Sequence, residues 1–179
     1  MAQRLHHEHI VRINDPANLA GDWLTREQLW AGLQHTILVP EVVDESIDST
    51  SIEEIVPGRF RRHIRRGRSS TADEVDLVPN ESLRIRADVQ GAFAGSTLTI
   101  RIEEPAPEML FVRFTYDVCG LADARDEQED SARCSAYHTA DIERIRQARR
   151  YAAFGGVTTQ WAQSRLRRFR NSLRRYSQG

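Results

Sequence analysis

Between Ile47 and Val118 turn-forming residues recur at nearly even intervals: Pro57-Gly58, Gly67 to Ser70, Pro79-Asn80, Gly91 to Gly95 and Pro105 to Pro107. Such spacing describes a meander of six antiparallel strands and leaves no room for the strand–helix–strand rhythm of a parallel sheet. Within the strands, Leu83, Ile85, Ala87 and Val89 share one face, as do Leu98, Ile100 and Ile102, then Leu110, Val112, Phe114 and Tyr116. Arg84, Arg86, Asp88, Arg101, Arg113 and Asp117 point the other way. A sheet patterned like this is wet on one face and has to be covered on the other.

The cover must come from the flanking segments. Residues 5–13 (LHHEHIVRI) read as a first strand, stopped by Asn14-Asp15-Pro16. Next, Thr25 is placed to cap a helix, with Gln28 closing a capping box and Leu24 stapling onto Leu29. Leu29, Trp30, Leu33 and Ile37 follow at helical spacing, and Pro40 either stops this helix or opens a second short one through Val43. The long cover helix is expected to open near Thr139 and to bury Ile142, Ile145, Ala148 and Ala152, with Asp141 and Glu143 early and Arg149 and Arg150 late, as the helix dipole favours. The acidic run from Leu121 to Asp130 is expected to be the loop before it, and Gly155-Gly156 its stop.

Composition removes several chemistries. All 25 basic residues are Arg, so a Schiff-base lysine, a pyridoxal-phosphate lysine and a P-loop lysine are all excluded. GxSxG, HExxH and GxGxxG are absent. Cys119 and Cys134 fit neither a disulfide framework nor a zinc ribbon and read as free thiols. With no long apolar run and a charged beginning, the chain is expected to be cytoplasmic. Charge is uneven: residues 155–179 carry six Arg and no acid, leaving 19 Arg against 26 acids in residues 1–154. The expected division is therefore an acidic domain over 1–154 and a basic helical tail over 155–179.

The element order resembles the helix-grip fold of the START and birch-pollen-allergen (SRPBCC) superfamily. More narrowly, INDP at 13–16, LTREQLWAGL at 24–33, LTIRIEEP at 98–105 and FVRFTY at 111–116 look like its AtaL-like branch. The resemblance implies an α+β fold, with a curved seven-stranded antiparallel sheet around a long C-terminal helix, one or two short helices after the first strand, and a lipophilic cavity. It implies no reaction, and it does not extend to the tail.

Several residues stand out as site candidates. His7 and His9 share a strand face and could chelate or act as acid and base, but no third ligand has a diagnostic spacing, so no metal is expected. Arg62 shares a face with Phe60, Ile64 and Arg66, and a guanidinium there could hold a ligand carboxylate or enolate. The plainer reading of the arginine-rich strand is ion pairing with Asp73, Glu74 and Asp76 on the next. Tyr116 is the best polar handle inside a cavity whose walls would draw on Trp30, Phe60, Ile64, Ile85, Ile100, Val112, Phe114 and Tyr151, although such aromatics are more often core.

Three functions follow in order. The first is binding of a hydrophobic or aromatic small molecule, without a fixed cofactor. The second is a cyclase, aromatase or isomerase acting on a polyketide-like metabolite, with His7 or His9, Arg62 and Tyr116 as acid, base and oxyanion partners. The third, nucleic-acid or anionic-membrane binding, rests on the tail alone, where Ala162, Leu166, Phe169, Leu173 and Tyr176 form a seam among arginines. Packing of that seam on the acidic body or on a second copy, giving a homodimer, is preferred to a polyanion.

Overall fold

A computed structural model describes residues 3–15, 17, 23–87, 95–121 and 127–154. Seven strands form one antiparallel sheet: β1 (Gln3–Arg12), β2 (Ser49–Val56), β3 (Arg59–Arg66), β4 (Ser69–Val78), β5 (Ser82–Ala87), β6 (Ser96–Glu103) and β7 (Phe111–Leu121). Their order, β1-β7-β6-β5-β4-β3-β2, is a meander of six with the first strand returned to pair with the last. Two-residue turns at Pro57-Gly58 and Gly67-Arg68 need a left-handed residue, and glycine supplies it at φ of 80° and 56°.

Between β1 and β2 lies α1 (Arg26–Leu38), followed by a single 3-10 turn at Pro40–Val42. Both halves of the capping box are present: Gln28 N–H donates to Thr25 Oγ1 at 3.2 Å and Thr25 N–H to the Gln28 side chain at 2.8 Å. Just before it, Asn14 is buried and brackets two distant segments. Its Oδ1 accepts from Leu24 N–H, while its Nδ2 donates to the carbonyls of Leu24 and Glu108. The asparagine read as a strand stop is thus the joint between β1, α1 and the β6–β7 connection.

The cover helix α2 spans Glu127–Ala153, so it opens well before Thr139. Glu127 to Asp130, read as loop, are its first turn. Acidic side chains favour a helix N-terminus as much as a solvated loop, which is why composition misled there. Its buried stripe runs through Asp141, Ile145 and Ala148, while Ile142 is exposed. Ile145, Ala148 and Ala152 pack as expected, and only Ile142 departs, because Asp141 takes the inward position beside it. Helices α1 and α2 touch backbone to backbone: a Cβ at Gly32 would lie 2.8 Å from Ala148 Cα.

The core lies between these helices and the inner face of β4–β7, centred on Leu29, Leu33, Val75, Leu83, Ile100, Val112 and Phe114. The opposite face carries ladders of paired charge. Arg59 meets Asp76 at 2.6 Å, Glu74 joins Arg61 at 2.7 Å to Arg86 at 3.1 Å, and Arg113 lies between Glu8 and Glu103. Val89, the 122–126 part of the acidic run and the tail seam beyond Phe154 lie outside the described residues. Among the described residues no helix is long and apolar enough to cross a membrane.

Candidate functional site

A cavity of about 560 Å³ opens between the end of α1, the Pro40–Ile47 segment, the inner face of β3–β5 and α2. Ile37, Ile64 and Ile85 give it an apolar floor. Arg62, Asp73 and Arg144 line its inner part, and the exposed Glu45 and Ser46 mark its mouth. It is more polar than the lipophilic pocket the resemblance implies.

Arg62 and Asp73 face each other across β3 and β4, both pointing inward. Arg62 Nε and Nη2 donate to the two carboxylate oxygens at 2.7 and 2.6 Å, and Nη1 donates to the Ile37 carbonyl at the end of α1. The ion pairing anticipated for this hairpin therefore occurs on both faces of the sheet. Inside, it commits the guanidinium that could have held a ligand carboxylate, since every nitrogen of Arg62 already meets an acceptor.

A second polar group sits further along α2. Pairing of β1 with β7 places His7 opposite Tyr116 and His9 opposite Phe114, and the His9 ring stacks on Phe114 at 5.2 Å. Asp141, fully buried, accepts from the Tyr116 hydroxyl at 2.7 Å through Oδ2 and from Arg144 Nη1 through Oδ1. His9 Nε2 approaches the same Oδ2 to 3.3 Å but is not aligned as a hydrogen bond. Both His9 ring nitrogens and His7 Nε2 are shielded from solvent with no hydrogen-bond partner among the described residues. Tyr137 stacks on Tyr116 at 3.9 Å, and His138 meets His9 edge-on at 5.1 Å.

These surroundings set the protonation states. Burial, with His138 and His7 nearby, lowers His9 to about 4, so at neutral pH it is an uncharged imidazole. Burial raises Asp141 to about 6 against the opposing pull of Arg144 and the Tyr116 hydroxyl, so it is ionised at neutral pH. Burial and the adjacent Asp141 charge push Tyr116 up, keeping its proton on oxygen. The arrangement holds a proton on Tyr116, keeps an uncharged imidazole buried beside it, and anchors a guanidinium at the cavity wall.

Arg62, Ile64 and Ile85 line the cavity, whereas Trp30, Ile100, Val112 and Phe114 are buried in the core and Phe60 packs against it. Tyr151 stacks on His35 at 4.4 Å, joining α2 to α1 away from the cavity lining. The large apolar candidates are thus mostly packing, because the inner face they share serves the core over most of its area. Asp141, Arg144, Tyr137 and His138 were missed. Their spacing on α2 (137, 138, 141, 144) was the available signal, hidden because Asp141 also suited a dipole role. No group of three or more His, Cys, Asp or Glu among the described residues is arranged to hold a metal ion.

A curved antiparallel sheet closed by a long helix is the helix-grip architecture of the SRPBCC superfamily, and solved structures share it. The di-domain aromatase/cyclase StfQ of the steffimycin pathway aligns at TM-score 0.65 and 10% identity, over 87% of this chain and 53% of its own. The di-domain BexL of the BE-7585A pathway gives 0.64 and 14%, over 83% and 50%. The Zhui aromatase/cyclase from Streptomyces sp. R1128 gives 0.58 and 13%, over 84% and 94%. The chain therefore spans about half the length of the two di-domain proteins. Within this architecture the chain belongs to the AtaL family, described as acetylaranotin biosynthesis cluster protein L, whose model matches residues 11–155. No curated protein matches the sequence.

Proposed function

We propose that this protein binds a hydrophobic or aromatic small molecule in the cavity between β3–β5 and α2. The observation that carries the reading is the cavity itself: about 560 Å³ floored by Ile37, Ile64 and Ile85, which the protein's own side chains do not fill. The test is titration of the full chain with an environment-sensitive apolar dye and a broad panel of lipophiles. Binding is expected at micromolar or better affinity and should persist at high salt, since an uncharged lipophile makes no ion pair for salt to screen. A folded sample that binds no member of the panel overturns the reading.

A second reading, cyclase, aromatase or isomerase chemistry on a polyketide-like metabolite, is favoured by the cluster around Asp141. His9 is uncharged, and Arg144 links the cluster to the cavity wall. His9 and Tyr116 do not line the cavity, however, and the Tyr116 proton is held by Asp141. This reading therefore requires the cluster to open to substrate before His9 can take a proton and Tyr116 can give one. The aromatase/cyclase neighbours add analogy of fold. Incubation with candidate polyketide-like substrates and mass detection of product, repeated with His9→Gln and Tyr116→Phe, checks this. Turnover that both variants abolish while binding persists supports it; turnover unaffected by either overturns these roles.

A further inference from the structure

Charges on the cavity wall come in pairs, with one exception. Arg62 is matched by Asp73, Arg66 by Asp44 and Arg144 by the buried Asp141. Glu45 also lines the cavity, and among the described residues no cation is placed against it. Its place is held by the backbone around it. Glu45 and Ser46 form a turn closed by Ile47 N–H donating to the Asp44 carbonyl at 3.2 Å. Asp44 Oδ1 accepts from Ser46 N–H at 3.0 Å and its Oδ2 from Arg66 Nη2 at 2.9 Å, which ties the turn to β3, while buried Ile47 anchors the far side. Glu45 thus stands exposed at the rim of a cavity floored by Ile37, Ile64 and Ile85, where a side chain open to water is open to an entering ligand as well.

Charge decides the polar end of that ligand. An anion would meet the unmatched carboxylate and find each guanidinium of the wall already engaged. A cation would gain an ion pair at the rim without leaving water, so the desolvation cost of a buried charge does not arise. Building on the proposal that the cavity holds a ligand, we infer that this ligand is an amphipathic cation, with an apolar ring body in the cavity and an ammonium group at the rim against Glu45. Glu45 is then the residue that selects the sign of the ligand's charge, and the apolar floor supplies most of the affinity.

The test compares 2-propylnaphthalene, 2-naphthylethylamine and 2-naphthylacetate as probes of the full chain near neutral pH, by calorimetry or fluorescence. At low ionic strength the amine should bind about fivefold more tightly than the acetate, as one exposed ion pair gained by the first and one repulsion met by the second allow. That ratio should shrink in high salt, while the affinity of the uncharged probe stays the same. Glu45→Gln should reduce the ratio about threefold and leave 2-propylnaphthalene unchanged. Glu53→Gln removes an equally exposed acid on β2, away from the cavity lining, and should leave the ratio as it is. The acetate binding best, a ratio that high salt or Glu45→Gln does not reduce, or a ratio that Glu53→Gln reduces as much, overturns the assignment to Glu45 and leaves the cavity standing. Failure of 2-propylnaphthalene itself to bind overturns the cavity reading and this inference with it.

Discussion

The two faces of the sheet use the same pair of chemical groups for opposite purposes. On the outer face Arg59–Asp76, Arg61–Glu74 and Arg113–Glu103 lie partly in water, where screening and side-chain entropy leave little net gain. On the inner face Arg62–Asp73, and on the helix packed over it Arg144–Asp141, are withdrawn from solvent, where each charge depends on its partner. Ladders of the first kind favour the register and keep the face solvated. Pairs of the second kind put fixed polar groups beside an apolar floor, which is what a selective cavity requires.

The largest effect should come from breaking an inner pair. Asp73→Ala leaves the Arg62 guanidinium buried without its carboxylate and should cost about 3–5 kcal/mol in denaturant unfolding. Replacing both residues, as in Arg62→Met with Asp73→Leu, should recover most of that loss. If the single and double variants are equally unstable, the contrast between the faces is wrong.

The next effect is pH dependence. The folded value of Asp141, about 6, lies above its ordinary 3.8, so between these values the folded protein keeps a proton that the unfolded chain has released. Its contribution to stability is therefore greatest below about 4, falls as pH rises to about 6 by on the order of 2–3 kcal/mol, and is level above. His9 acts oppositely: its folded value of about 4 is below 6.5, so its contribution is full above 6.5 and is lost as pH falls toward 4. The two slopes oppose each other in the native protein. In His9→Gln the larger opposing slope is removed, while that of His35, which burial also lowers, remains. Stability between about pH 4 and 6 should then rise less with pH than in the native protein, or decline, in melts across a pH series. A variant that tracks the native profile would remove the coupling.

Smaller still, Tyr116→Phe deletes one hydrogen bond to a buried carboxylate and should cost about 1.5–3 kcal/mol, read from the denaturant midpoint. Smallest of all, Glu103→Gln on the outer face should change stability by less than about 1 kcal/mol, and that difference should vanish in high salt.

The alternation of the strands and the turns between them were legible because period-two patterning and glycine-bearing turns are local facts. So was the capping box at Thr25. The start of α2 was not, because Glu127 to Asp130 satisfy a loop and a helix N-terminus equally well. The candidate site divides along the same line. His7, His9, Arg62 and Tyr116 could be named from their strand faces, but Asp141 and Arg144 gain their meaning only from what β1 and β7 bring against α2. A hydrophobicity pattern discounts a charged residue at a core position, and only a partner supplied by a distant strand makes that burial tolerable. Asn14 does follow the end of β1, but its bracketing role could not be read, since its partner at Glu108 is 94 residues away.

The pairing of the first strand with the last also governs the order in which the molecule is made. Six strands can form by successive hairpins between near neighbours in the chain, but His9 meets Phe114 only after a loop of more than 100 residues has closed. Such closure offers its contacts last and contributes most to the mean sequence separation that slows folding. Along the β1–β7 seam, the imidazoles reach Tyr116 and Asp141 only at that final step. A chain halted before it would carry most of the sheet and a first strand with no strand beside it, presenting an open β7 edge to any neighbour in solution.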